Sequence, residues 1–385
     1  MHPKIIEIRD FIKGKDYSLA LRRITDVTID TEDLTLFKKC LALHDLYEKE
    51  HKQDLYTNFA IESNNLLNDV AKKLPFHKTD AQVIISFSKL GKTYSKGGFA
   101  INNIDGTLHE GEIIGLVGEN GNGKTTLLRM LGGSLLPSIG NISYHFTKAV
   151  KHSYQLNSDV VFVPQRIPSW QGKLYDNLLF TNSFYGRNGE TNVLWAEMML
   201  ALLGLRPFRD MNWSQISSGY KTRFEIARVL LQKPRMLLLD EPLANLDIFA
   251  QQTILQDLKY RSQSITAPFG IFLSSQQLYE VEKVSDAVIF LKDGVPKYQK
   301  LSDNEALVQV QSVFEIEGNI AKIALDNALE ILNPTSIKYN GGVFVVVFDK
   351  TIGMNELLSV LAKSSLQILS IRDISRSSRR FFESL

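Results

Sequence analysis

Apolar positions divide the 385-residue chain into three stretches of different rhythm. From residue 1 to about 80 they recur at helical spacing, as in Ile5, Ile8, Phe11 and Ile12, then Tyr17, Leu19, Ala20, Leu21 and Ile24, then Leu34, Phe37, Leu41, Leu43, Leu46 and Tyr47. A further helix is expected from near Leu55 to Leu74, closed by Pro75, because proline disfavours the helical backbone of the residue before it. Asp30-Thr31-Glu32-Asp33 reads as a helix start, with acidic side chains facing the positive end of the helix dipole. The stretch is expected to form helical hairpins. It fits two roles, a packing extension of the adjoining domain or a docking module.

From residue 82 to about 300 the pattern changes to short apolar runs: Val83–Phe87, Ile113–Val117, Val160–Val163, Met236–Leu239, Ile271–Leu273 and Val288–Leu291. Several are continuous rather than alternating, as expected of strands covered by helices on both faces. Helical patterns lie between them, so the stretch is expected to be an α/β domain with a mainly parallel sheet. From about 312 to 385 the order changes again. Ser312–Ile316 reads as a strand, Ile320–Ile331 as a helix, Ser336–Tyr339 and Val343–Phe348 as a hairpin around Asn340-Gly341-Gly342, Met354–Leu361 as a helix and Leu366–Ile371 as a strand. That βαββαβ order is the ferredoxin-like arrangement.

Composition narrows the classes. There are 44 basic and 42 acidic residues, a formal net charge of +2, so no whole-chain attraction to nucleic acid or to an acidic membrane is expected. The one cysteine, Cys40, sits in an apolar helical pattern and reads as core packing. No apolar run approaches the roughly 20 residues that span a bilayer, and the start lacks the apolar core of a secretory signal. A cytoplasmic protein is expected, with any membrane part supplied by another chain. Arg22, Arg23, Lys38 and Lys39 read as a solvated helix face.

Gly118-Glu119-Asn120-Gly121-Asn122-Gly123-Lys124-Thr125 comes after an apolar strand and precedes the helix that Thr126-Leu127-Leu128 opens. Glycines at this spacing let backbone N–H groups turn inward around phosphates, and the helix N-terminus adds partial positive charge. Lys124 is expected to reach the β- and γ-phosphates, and the hydroxyl of Thr125 to hold Mg²⁺. Met236–Leu239 runs into Asp240 and Glu241. Asp240 is placed to hold Mg²⁺, and Glu241 to polarise an attacking water.

With these residues in place, residues 82–300 resemble an ATP-binding cassette (ABC) ATPase, a phosphate-loop NTPase fold. Ile216-Ser217-Ser218-Gly219-Tyr220 resembles the family's signature, usually L-S-G-G-Q, with Ser217 and Gly219 retained and Ser218 and Tyr220 substituted. Gln165 matches the family's Q-loop glutamine, a further magnesium ligand, and Leu246-Asp247 its D-loop. Tyr94 stands where an aromatic ring stacks on adenine. The resemblance also implies contacts to the nucleotide from Gly118, Asn120, Gly121, Asn122, Gly123 and Thr126. Gln276 stands where the family has its switch histidine. A glutamine amide can hydrogen-bond a phosphate but cannot become a cation, so slow but real hydrolysis is expected.

The resemblance implies that two cassettes pack head to tail, the signature of one covering the ATP of the other, most simply as a homodimer. It implies a separate integral-membrane permease that holds the chain against the inner face of the cell membrane. The C-terminal unit, with the tail Ile374–Phe382, resembles that of exporter ATPase subunits, so an exporter is the leading expectation. Two alternatives stand beside it: a soluble ABC ATPase acting on ribosomes or DNA, and a nucleotide-gated regulator with weak turnover.

Overall fold

The computed structural model describes residues 2–51, 56–75, 81–94, 100–146, 156, 158–244, 246–277, 281–300 and 312–375. Four helices come first: α1 (Pro3–Lys13), α2 (Tyr17–Thr31), α3 (Leu34–His51) and α4 (Thr57–Lys73). Local chemistry sets their ends. Pro3 occupies the first turn of α1, where its missing N–H costs nothing. Asp16 caps α2 by accepting from the Leu19 N–H at 3.2 Å. Asp33 starts α3 by accepting from the N–H groups of Thr35 and Leu36. The helix start expected at Asp30–Asp33 is therefore carried by Asp33 alone.

Asp30 lies inside α2, buried, and does something else. Its carboxylate accepts from Arg261 Nη1 at 2.6 Å, Ser264 Oγ at 2.6 Å and the Ile265 N–H at 2.8 Å. Arg22 and Arg23 correct the sequence expectation in the same way. Arg23 is 5% exposed, and both arginines donate to Asp257, at 3.0 and 3.1 Å. They are not a solvated face, because helical periodicity does not say what the opposite wall of the groove carries. Lys38 and Lys39 do stand exposed, paired with Glu190 and Asp69.

The strands β1 (Val83–Thr93), β2 (Ala100–His109) and β4 (Ile139–Tyr144) form an antiparallel sheet in the order β2-β1-β4. The main sheet has six strands, β5 (Val160–Val163), β6 (Met236–Asp240), β7 (Gly270–Ser275), β3 (Ile113–Val117), β8 (Ala287–Lys292) and β9 (Val295–Lys300), in that spatial order. All its pairs are parallel except β8–β9. Every residue of β3, β6 and β7 is buried, which explains their unbroken apolar runs. On one side, helix α5 (Lys124–Leu131) packs Leu127, Leu128 and Leu131 among Ile85, Phe87 and Phe272. On the other, one continuous apolar core takes in the N-terminal helices, the helices α6 (Leu174–Phe184), α7 (Gly189–Leu202) and α8 (Ser218–Leu230), and helix α9 (Ile248–Ser262). Phe37 of α3 meets Trp195 of α7 edge-on, with ring centroids 5.2 Å apart. Of the two roles open for the N-terminal stretch, this shared core supports the packing extension.

The last elements are β10 (Ser312–Asn319), α10 (Lys322–Leu329), β11 (Ser336–Asn340), β12 (Val343–Phe348), α11 (Met354–Leu361) and β13 (Gln367–Asp373). Their sheet runs β11-β12-β10-β13, with every neighbouring pair antiparallel, and Leu325, Leu329, Leu357 and Leu361 pack on one face beside Phe314 and Val346. The Arg376–Phe382 part of the expected tail lies outside the described residues. Among the described residues no helix is long and apolar enough to cross a membrane.

The seam between α2 and α9 can be measured in two ways. Asp257→Ala leaves the buried Arg23 guanidinium without its interdomain partner and is expected to cost about 3–5 kcal/mol in denaturant melts, whereas Lys39→Ala on the exposed face costs under about 0.5 kcal/mol. Asp26 is fully buried, Oδ1 lacks a hydrogen-bond partner, and burial outweighs the Arg23 contact to push its pKa up to about 6. A raised folded pKa stabilises the fold below the unfolded value of about 4 and loses that contribution as pH rises through 6. The parent should therefore lose stability relative to Asp26→Asn between about pH 4 and 6, read from melts across that window.

Candidate functional site

The parallel register brings three strand ends together. Asp240, the last residue of β6, lies opposite Ser274, and Val117, the last residue of β3, lies opposite Ser275. The loop after β3 then turns back over this edge. Gly121 and Gly123 have φ of +86° and +97°, a left-handed backbone that a side chain resists. A Cβ on Gly118 would lie 2.4 Å from the Leu291 carbonyl oxygen of β8. The loop is thus pressed on the neighbouring strand, and Asn122 Oδ1 ties it to the β8–β9 turn by accepting from the Asp293 N–H at 3.0 Å.

Lys124, at the start of α5, is 5% exposed and folds back into the loop. Its ammonium donates to the carbonyls of Gly118 at 2.6 Å and Glu119 at 3.1 Å and lies 3.1 Å from Glu241 Oε1. Beyond that ion pair, Oε1 has no hydrogen-bond partner among the described residues. Thr125 donates its hydroxyl to Asp240 Oδ2 at 2.8 Å. Ser274 Oγ donates to Asp240 Oδ1 at 2.8 Å and accepts from the Glu241 N–H at 2.9 Å. Glu241 itself has φ of +50°, a left-handed conformation costly for a residue with a Cβ. Strain of this kind persists only where the surroundings fix it, and here Ser274 holds the amide while Lys124 holds the carboxylate.

The result is a cleft of about 160 Å³ lined by Asn120, Gly121, Gly123, Lys124, Thr125, Thr126, Gln165 and Glu241. Its walls are the glycine loop, the buried Lys124 ammonium, polar side chains and one carboxylate, that of Glu241, with Asp240 just behind Thr125. That donor set suits a polyphosphate together with a hard divalent cation, for which Thr125 and Asp240 would be the oxygen ligands.

Tyr94, Ser217, Gly219, Asp247 and Gln276 do not line the cleft. Tyr94 comes just after β1 and is 40% exposed. Ser217 is the N-cap residue of α8 without using its side chain as a cap. A Cβ on Gly219 would meet Leu246 at 3.0 Å, so this glycine lets the start of α8 approach the segment before α9. Asp247 caps α9 by accepting from the Ala250 N–H at 2.9 Å. Gln276 is exposed just past β7. Tyr220 packs its ring 3.9 Å from that of Phe208, so the residue standing for the usual glutamine is held by packing.

Ser274 and the Leu291–Asp293 brace were not singled out from sequence. The signal for Ser274 was available: it is a buried polar residue at the end of an apolar strand that flanks the acidic one.

Comparisons with known proteins agree with this geometry. The family model described as ABC transporter matches residues 101–244. The chain is 28% identical over 235 residues to the phosphonates import ATP-binding protein PhnC of Treponema denticola, covering 58% of this chain and 91% of that one. It is 30% identical over 231 residues to the lipoprotein-releasing system ATP-binding protein LolD of Idiomarina loihiensis, covering 56% of this chain and 100% of that one. Among solved structures, CbiO1 of Clostridium perfringens, part of the transporter complex CbiONQ, superposes with a TM-score of 0.51 at 26% identity over 56% of this chain and 88% of its own.

Ser274→Ala leaves the buried Glu241 N–H without an acceptor and removes one donor from Asp240. It is expected to cost about 1–3 kcal/mol in a denaturant melt, an effect that Ser275→Ala, whose hydroxyl accepts from the Gln277 N–H at 2.9 Å and touches neither Asp240 nor Glu241 among the bonds described, should not reproduce in full.

Proposed function

We propose that this chain, which belongs to the family of ABC transporter ATP-binding proteins, is the ATPase motor of a transporter whose membrane-spanning part is a separate chain. Members of the family bind ATP with Mg²⁺ and hydrolyse it. The observation that carries the proposal is the linked set Thr125–Asp240–Ser274–Glu241 beneath a glycine loop, with Lys124 inside it.

In this reading, the backbone of residues 118–126, including Asn120, Asn122 and Thr126, cradles the phosphates, and Lys124 holds the β- and γ-phosphates. Thr125, Asp240 and Gln165 hold Mg²⁺, with Ser274 fixing which carboxylate lobe of Asp240 faces outward. The ion supplies charge neutralisation on the phosphate oxygens. Glu241, whose Oε1 is free of hydrogen bonds, accepts from the attacking water and orients it toward the γ-phosphate. Its pairing with Lys124 is the ground-state contact that the γ-phosphate replaces. Tyr94 stacks on the base.

Ser217, Gly219 and Asp247 fall outside the cleft of their own chain. They are assigned to the cleft of a second copy, in a head-to-tail homodimer. The division into a helical unit at 1–80, a cassette at 82–300 and a βαββαβ unit at 312–385 is part of the same proposal. So is attachment to the inner face of a membrane through the permease. Export is the direction proposed, and it rests on the C-terminal unit; the relatives carry names of both import and release, so vesicle transport by the co-purified complex decides it. A chain that pellets with ribosomes and with no integral-membrane partner would overturn the transporter reading.

Gln276 favours one second reading, a nucleotide-gated regulator, since a neutral amide replaces the cation that would assist at the γ-phosphate. A steady-state ATPase assay separates motor from regulator.

Glu241→Gln is expected to lower ATP hydrolysis by at least about 100-fold while keeping MgATP binding; hydrolysis at the parent rate would remove Glu241 from its role. The same variant with MgATP should run as a dimer in size-exclusion chromatography, and a monomer at high protein concentration would rule out the homodimer.

A further inference from the structure

A second cavity, of about 260 Å³, lies where the N-terminal helices, the segment after α7, and helices α8 and α9 meet. It is larger than the phosphate cleft and shares no residue with it. Three arginines from distant parts of the chain converge on it, Arg22 from α2, Arg206 from the segment after α7 and Arg223 from α8, against two carboxylates in the same wall, Glu48 and Asp257. Leu21, Leu203 and Pro207 contribute apolar wall.

The arginines are unequally occupied. Arg22 donates to both oxygens of Asp257, at 3.0 and 3.2 Å. Arg206 pairs with Asp45 at 2.5 Å and Glu48 at 3.2 Å. Arg223 makes no carboxylate ion pair among the described residues, though its charge acts on Asp257 in the same cavity wall and its guanidinium lies 5.9 Å from the centroid of the Tyr220 ring. Its Nη1 makes one long hydrogen bond, 3.4 Å, to the Leu203 carbonyl, and its remaining donors have none among the described residues. A guanidinium left this way on the wall of a half-apolar cavity has the geometry to take a phosphate or carboxylate in a two-pronged bond.

His44 adds a neutral polar group to the wall, not a contact to the anion. It is buried and lines the cavity. The Thr25 hydroxyl gives its proton to the Leu21 carbonyl at 2.8 Å, so it accepts from His44 Nε2 at 2.8 Å. That fixes the tautomer and leaves Nδ1 as an acceptor with no partner among the described residues. Burial drives the pKa of His44 down to about 3, so the ring is neutral and does not add to the positive charge.

We propose that this junction is a binding site for a small organic anion, an apolar body carrying one phosphate or carboxylate, with Arg223 as its main anion contact. The volume is below the range of ordinary drug-sized pockets, about 300–1,000 Å³, which restricts the ligand to a compact one. The apolar wall selects against a bare inorganic ion. A ligand held here touches the N-terminal helices, the segment after α7, and helices α8 and α9, so its binding stabilises their packing. The site shares no residue with the phosphate cleft, so its occupancy does not require ATP turnover.

The test uses phenyl phosphate and phenylacetate as probes, titrated calorimetrically into the full chain and into Lys124→Ala, which removes the main phosphate contact of the other cleft. Saturable binding is expected in both proteins and should weaken as salt is raised. Arg223→Gln should weaken it about tenfold or more. Thr253→Glu, which adds a carboxylate to the cavity wall, should do the same without touching the arginines; an unshifted melting temperature shows each variant is folded. Binding of phenyl phosphate alone assigns the site to phosphomonoesters, and binding of both probes to organic anions in general. No saturable binding of either probe, or binding that survives both cavity variants and is lost in Lys124→Ala, overturns the proposal.

Discussion

Parallel pairing of β3, β6 and β7 is the constraint on which the site depends. Because the three strands run the same way and end in register, a glycine loop, an acidic pair and a serine, far apart in sequence, arrive at one edge. Burial of the strands on both faces leaves that edge as the place where polar groups can collect. The collection is tight enough that the hydroxyls of Thr125 and Ser274 hold the two oxygens of one carboxylate from opposite sides. The orientation of Asp240 is therefore set before any ligand arrives, which lowers the reorganisation a bound cation would require.

Much of this was legible in sequence, for identifiable reasons. Continuous apolar runs at Ile113–Val117 and Met236–Leu239 became buried strands because nothing polar interrupts them. The glycine spacing at 118–123 became a left-handed loop because few other residues accept that backbone. The bracing was less legible. Nothing local to Leu291 or Asp293 shows that they press on the loop, since that contact comes from β8 being the neighbour of β3. Asp30, Arg22 and Arg23 were misread for a related reason. A helix pattern identifies which residues share a face, but a charged residue on that face is exposed or buried according to what is opposite, and here α9 brings Asp257 and Arg261.

That seam explains why the N-terminal helices are not a loose appendage. Arg22 and Arg23 share Asp257, while Asp30 takes up Arg261, Ser264 and a backbone amide. Buried pairs add little net stability over apolar packing, but they punish any misalignment heavily, because a displaced partner leaves a charge stranded. The bundle is therefore fixed in one orientation on α9, the helix that Asp247 caps at its other end. The apolar contact between Phe37 and Trp195 fixes the same bundle to α7. The same bundle is thus tied to both α9 and α7.

The left-handed backbone of Glu241 has a consequence for how this chain can change over time. A residue without a Cβ would relax at that position, yet it would lack the carboxylate that faces Lys124. Foldedness and chemistry thus pull the position toward different side chains. The surrounding contacts, Ser274 above all, decide how much of that conflict the protein tolerates. The two positions are coupled through one bond: without the Ser274 hydroxyl, the amide of the strained residue loses its acceptor.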